Sequence, residues 1–353
     1  MKTAIGIGGA ASGKKNDFED VVTFAAEAEK LGVDQAWSAE AWGYDAVSTI
    51  AYLGARTKTM TLGTGIMQIS ARTPSMTAMT ALTMSTITNG RFILGLGASG
   101  PQVVEGLQGQ SFAKPLLRMR ETIEIVRQAF RGEKLNFQGE HHVLPRPGGE
   151  GKALRLAQPP NPDLPIWLAT LSPRALELTG ELADGWLGTS FTPDVAEAHL
   201  QYLRRGAEKA GRSLADITLC VGTSIAFTDD PEPFIQKAKA GMAFQLGAMG
   251  SAKTNFYNDA YKRSGFADAA VEVQKLWVEG RREEAIKRVP DDMIARTTLF
   301  GDEAFIRERI RLYSDVGIGV FRLDPAGKNR GERLETLGRA VEIIKQETGA
   351  PVS

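Results

Sequence analysis

Cysteine is almost absent from this chain. Cys220 stands alone, so no intrachain disulfide can form, and its apolar run ITLCVGTSIAF reads as core rather than as the setting of a nucleophile. Histidine is scarce too: His141, His142 and His199 are the three present. The adjacent pair has no acidic or cysteine partner at ligand spacing, so no metal site is expected. Net charge is missing as well, with 42 Lys and Arg against 42 Asp and Glu. No field therefore draws the chain to nucleic acid or to an anionic membrane. No stretch approaches the roughly 18 apolar residues of a membrane span, and the opening MKTAIGIGGAASGKK lacks the layout of a secretory leader. A cytoplasmic protein is expected. Nor is there a Gly-x-Ser-x-Gly elbow or a Ser/His/Asp arrangement. Chemistry without such side chains suits an enzyme whose cofactor performs the reaction.

What is present alternates. Short apolar runs at 3–8 (TAIGIG), 34–38, 59–66, 91–97 (RFILGLG), 165–169 (PIWLA), 184–189, 217–227 and 319–324 (GVFRLD) read as eight buried strands. Helical patterns lie between them, at about 17–31, 44–55, 74–89, 116–131, from Pro173, from Pro193 and at 331–347. Asn16 is a candidate N-cap with Glu19 three residues on, and Pro74 and Pro173 suit first helical turns. The strands show no period-2 alternation, as burial on both faces demands. Eight consecutive βα units predict one closed (β/α)8 TIM barrel with insertions, spanning residues 1–353 as a single domain. An open doubly wound sheet is the competing architecture. Three segments exceed a short connection: about 98–115, the Gly/Pro-rich 132–163, and a helical stretch from about 231 to 300.

Two motifs mislead. GGAASGK at 8–14 approaches a phosphate-cradling loop after a strand, but Lys15 stands where that motif needs Ser or Thr. GLGASG at 95–100 matches a dinucleotide fingerprint. Pro101 is expected to interrupt helix entry there, and no strand-end acid follows at the right distance. Gly97, Ala98 and Ser99 read better as a small-residue loop where backbone approaches a ligand closely.

Four segments taken together carry a resemblance: AWSAEAWGYDAVSTIAYLGARTKTMTLGTGI (36–66), RTPSMTAMTALTMSTITNGRFILGLG (72–97), PIWLATLSPRALELTGELADGWL (165–187) and GIGVFRLDP near the C-terminus. The sequence resembles the luciferase-like monooxygenase superfamily. Within it, the branch dependent on the deazaflavin coenzyme F420 is the most similar, and the likeness covers nearly the whole chain. The resemblance implies a flavin-like ring at the barrel mouth, resting on a strand 3 bulge with a non-prolyl cis peptide, here Gly65-Ile66. It implies that Gln68 hydrogen-bonds the polar edge of the ring. It places the cofactor phosphate on the loop after strand 5, Thr170-Leu171-Ser172, with Arg174 nearby. A helix N-terminus there is an anion site in its own right.

Glu40, at the end of strand 2, stands where some relatives carry a proton-donating His. Held in a partly apolar mouth beside Trp42, it is the expected catalytic acid. Ala39 occupies a cofactor-contact position where some relatives have Asp. Gly6 and Gly100 stand where relatives carry acids, which argues against those relatives' particular substrates.

The expected function is an F420-dependent oxidoreductase transferring a hydride between the deazaflavin and a small organic substrate. An FMN-dependent monooxygenase using O2 and a non-catalytic flavin-binding protein are the alternatives. A homodimer is expected, with helix 44–55 as a candidate contact face.

Overall fold

The computed structural model describes residues 1–8, 17–250 and 254–349. The glycine-rich segment beyond Gly8 and the Asn16 cap lie outside them. Eight parallel strands form the barrel: β1 (Lys2–Gly8), β2 (Gln35–Ala39), β3 (Thr61–Thr64), β4 (Phe92–Gly97), β5 (Ile166–Leu168), β6 (Gly185–Gly188), β7 (Thr218–Phe227) and β8 (Val320–Pro325). They pair in sequence order, and β1 closes on β8 through Lys2↔Val320 to Ile5↔Leu323. The helices that follow them are α1 (Asp17–Lys30), α2 (Ala46–Arg56), α3 (Pro74–Ile87), α4 (Pro115–Phe130), α5 (Pro173–Leu182), α6 (Glu197–Lys209), α7 (Glu303–Asp315) and α8 (Arg330–Thr348). All eight strands stand where apolar runs place them. Asp45, Thr73, Ser172, Asp302 and Asn329 cap helix starts with their side chains, each satisfying a backbone N–H that the helix cannot. No helix among the described residues is long and apolar enough to cross a membrane.

Ala4, Trp37, Ile93, Trp167, Leu187, Cys220 and Val320 fill the barrel interior. Trp37 and Trp167 stack with ring centroids 4.9 Å apart. Glycine makes that possible. A Cβ on Gly63 would lie 2.3 Å from the Trp37 ring, and one on Gly185 would lie 2.4 Å from Trp167. Cys220 is core, as its surroundings suggest, and burial pushes its thiol pKa up to about 11.

The ladder between β3 and β4 breaks at the mouth. Leu62 and Gly63 pair with Phe92 and Ile93, then Met67 and Gln68 resume against Leu96 and Gly97. Across the gap the Thr64 hydroxyl donates to the Gly95 carbonyl (2.8 Å) and accepts from the Gly95 N–H (2.9 Å). A side chain thus serves the backbone groups that the bulge leaves without partners. Gly95 tolerates nothing larger, because its Cβ would fall 1.7 Å from the Thr64 carbonyl oxygen.

The three long segments have structure of their own. In 98–115, Pro101 opens the short helix Pro101–Val104 instead of interrupting one. Its missing N–H costs nothing in a first turn. Segment 132–163 carries a hairpin of Phe137–Gln138 and Val143–Leu144. Its turn is tied to α4 by Glu121, which accepts from the N–H groups of Glu140, His141 and His142 at 2.7–2.9 Å. Burial opposes ionisation of Glu121, but these three donors outweigh it and hold the pKa below the ordinary value. Among its described residues, segment 231–300 is mostly helical up to Thr297, with a core built on Ile235, Met242, Leu246, Val273 and Met293. Its end departs from expectation, since Leu299–Gly301 adds a strand to the upper end of β7.

His199 on α6 is fully buried against Trp186 and Phe191, and neither ring nitrogen has a hydrogen-bond partner among the described residues. Burial first, and the Arg263 charge second, lower its pKa to about 4. The unfolded chain takes up this proton near pH 6.5 while the folded one does not. Stability from His199 is therefore complete above pH 6.5 and falls as pH drops from 6.5 towards 4, by about 3 kcal/mol in all. We expect His199→Phe to flatten that part of the stability–pH curve without loss at pH 7.5, since it removes two unsatisfied nitrogens. Urea unfolding across this pH range checks it.

Candidate active site

The C-terminal strand ends form the mouth of the barrel, where the fold places its chemistry. At the end of β3 the Gly65-Ile66 peptide is cis, as the sequence resemblance implies. Ile66 sits at the top of the inner cluster beside Ala169. Its side chain lies over Gly97, whose Cβ would come 2.8 Å from Ile66 Cγ1. Ser99, at φ 60°, turns the chain out of β4 towards Pro101. Ala98 points away, into a small cleft with Ile69, Ser70 and Val104. Of the small-residue loop, Gly97 therefore borders the bulge and Ala98 does not. Ala39 ends β2, half-buried and level with Gly8.

Glu40 is not in the apolar setting its sequence context suggests. Both carboxylate oxygens meet Arg72 in a bidentate pair, Nη1–Oε1 at 2.7 Å and Nη2–Oε2 at 2.9 Å. They also accept from the N–H groups of Ala46 (3.2 Å) and Gln68 (3.3 Å). Hydrogen bonding to Glu40 raises the Arg72 pKa against the effect of burial. Trp42, expected beside the carboxyl in a partly apolar mouth, is 58% exposed. A carboxylate whose two oxygens are both engaged in this way is fixed in place as part of the frame. Gln68 is equally committed. Its amide donates to the carbonyls of Glu40 (3.0 Å) and Ala41 (3.3 Å) and accepts from Gln108, which in turn accepts from Ser70 (2.6 Å). Arg72 opens one of the segments that carry the resemblance and Gln108 lies in the long 98–115 connection, but nothing local in the sequence marks either as a partner of the mouth.

The loop after β5 fits the anion site expected of it, with changes of detail. The N–H groups of Thr170, Leu171 and Ser172 donate to no backbone group among the described residues. Ser172 caps α5 by accepting from the Ala175 N–H (3.4 Å), leaving its own proton free to donate. Thr170 is turned inward, its hydroxyl 2.7 Å from that of Thr179, so it adds no donor to the loop. Arg174 is exposed. Arg263, from the helical insertion, instead reaches the loop and donates to the Leu171 carbonyl at 2.6 Å. Arg263 Nε is buried without a hydrogen-bond partner among the described residues. Free N–H groups, a helix N-terminus and this orphaned guanidinium donor fit a phosphate-bearing group.

A cavity of about 980 Å³ opens at the ends of β6, β7 and β8. Ser190, Gly222, Met242, Thr297 and Lys328 are among its walls. It touches neither the bulge nor the 170–172 loop.

The family described as luciferase-like monooxygenase matches residues 1–319. The provisionally assigned coenzyme F420-dependent oxidoreductase Rv3520c of Mycobacterium tuberculosis is 40% identical over 301 residues, covering 83% of this chain and 87% of its own. A 5,10-methylenetetrahydromethanopterin reductase of Archaeoglobus fulgidus is 27% identical over 89% of this chain and 92% of its own. Among solved structures, the coenzyme F420-dependent tetrahydromethanopterin reductase of Methanopyrus kandleri superposes with a TM-score of 0.76, at 23% identity over 98% of both chains.

Arg72→Met strands the Glu40 carboxylate, whose side chain is only 10% exposed. We expect a loss of about 1–3 kcal/mol, as for a buried charged group left without its partner. Adding Glu40→Leu should return part of that loss, giving a non-additive cycle. Equilibrium unfolding of the three variants measures it, and strict additivity would remove the brace.

Proposed function

We propose, for a chain that belongs to the luciferase-like monooxygenase family, that it is a coenzyme F420-dependent oxidoreductase acting on a small organic substrate. The observation that carries this reading is 40% identity across 83% of the chain to a relative of that name. F420-dependent glucose-6-phosphate dehydrogenases are further relatives, the one from Nakamurella multipartita being 28% identical over 91% of this chain. The bound deazaflavin would supply hydride transfer. Gly65 and Ile66, backed by Gly97, would support its ring, and the N–H groups of residues 170–172 would take its phosphate. Gln68 and the Glu40–Arg72 pair hold the bulge and the end of β2 in one rigid frame, so the ring meets a preorganised surface. We assign Glu40 to this positioning role.

An FMN-dependent monooxygenase is the second reading, and a silent flavin-binding protein the third. The solved monooxygenases that share the fold are only 17–20% identical, which bears on fold alone. We also propose a cytoplasmic homodimer. Exposed apolar groups on α3 (Met76, Met79, Ile87) and Tyr52 on α2 give it a candidate face, and light scattering tests its mass.

Fluorescence titration with F420 and FMN side by side tests the cofactor. We expect F420 to bind in the micromolar range or tighter and FMN clearly less well. Tighter FMN binding, with O2 consumption on reduction, would move the assignment to monooxygenase. Binding of either without turnover on any carbonyl or alkene substrate would favour the silent protein.

A further inference from the structure

β8 turns Val320 into the inner cluster and packs Phe321 and Leu323 outward against the helices. Arg322 therefore points inward, one layer above the tryptophan floor. The strands on both sides give it glycine. Gly222 of β7 is in register with it, and a Cβ there would lie 2.8 Å from Arg322 Nε and 2.9 Å from Nη2. Gly6 of β1 passes its stem, with a Cβ position 3.9 Å from Cδ. Gly222 also walls the 980 Å³ cavity, so the strand position next to the guanidinium opens on that space.

This guanidinium is half-buried, yet among the described residues it donates no hydrogen bond and has no carboxylate at ion-pair distance. Asp324, two residues on, faces Ser224 (3.4 Å) and Arg333 (3.8 Å) instead. The undescribed segments 9–16 and 251–253 contain no Asp or Glu. Other arginines at similar depth are matched, Arg72 by Glu40 and Arg309 by Asp194. Tyr257, from the insertion helix Phe256–Tyr261, is within electrostatic reach of Arg322, which partly offsets the rise that burial causes in the phenol pKa. A cation partly removed from water without a partner is costly. The cost is recovered when a ligand brings the opposite charge, and the planar fork suits two carboxylate oxygens at once.

We propose that Arg322 anchors the carboxylate of the substrate, so that the substrate is a small organic acid. The glycines at 6 and 222 keep the guanidinium open to it. This deepens the oxidoreductase reading, on which it rests for the presence of a substrate in the mouth.

Calorimetric titration of the purified protein, with and without F420, tests it using crotonate and cinnamate, their amides, and methyl phosphate as probes. At least one acid should bind, and its amide should bind about tenfold or more weakly, the scale of one charge-assisted hydrogen bond. Arg322→Gln should weaken the acid by a similar factor and leave the amide unchanged, while Arg322→Lys recovers part of the loss. Gly222→Ala should weaken the acid as well, by placing a methyl group against Nε. Unchanged circular dichroism identifies the variants that remain folded, and any one of the three carries the test. The proposal is overturned if neither acid binds, if acid and amide bind alike, if methyl phosphate binds more tightly than the acids, or if a folded Arg322→Gln keeps full acid affinity. A failure to bind F420 would sink the cofactor reading alone, because the acids are titrated without it too.

Discussion

A hydroxyl group holds the mouth of this barrel open. Where β3 leaves its ladder, the Thr64 side chain both donates to and accepts from the backbone of Gly95. The exchange replaces two strand–strand hydrogen bonds that a bulge would otherwise leave buried and unmet, each worth about 1–3 kcal/mol if lost. It works only because Gly95 has no side chain. With that seam closed, the chain can swing outward for Gly65 and Ile66 and rejoin β4 at Met67. The Gln68 amide then ties the returning chain to the end of β2. The features that distinguish the mouth from an ordinary strand end follow from this local repair.

Charge is distributed around the mouth with a clear logic. On the β2–β3 side, acid and base cancel in the Glu40–Arg72 pair, which fixes geometry and presents little net field. At the end of β5 the attraction for anions comes from backbone N–H groups and a helix terminus. On β8 the Arg322 guanidinium has no carboxylate at ion-pair distance among the described residues. One rim is thus rigid and neutral, the next offers backbone donors, and β8 presents a guanidinium.

Much of the architecture was legible beforehand. Eight apolar runs mark eight strands because a parallel barrel buries both strand faces, and that leaves a continuous signal. The cis bond of the 65–66 bulge was legible through resemblance. What escaped was long-range. Nothing local ties Arg72 to Glu40, 32 residues earlier, or Arg263 to Leu171, 92 residues earlier. Such pairs exist only once the fold has brought them together. Glu40 misled for this reason: its neighbours in sequence are apolar, whereas its neighbour in space is a guanidinium. Leu299–Gly301 was hidden by the helices before it, since three residues are too few to show a period.

The tryptophan stack has a consequence for traffic. Trp37 and Trp167 fill the barrel's waist, with Ala4, Ile93, Leu187, Cys220 and Val320 packed around them. The barrel is therefore a blind cup and not a tube. Whatever reaches the reacting centre arrives and departs through one doorway, shared by cofactor, substrate and product. A molecule lodged nearer the rim bars the way for anything deeper. The order of arrival and departure is then imposed by depth, and exit of the outermost molecule becomes a natural candidate for the slow step of a cycle.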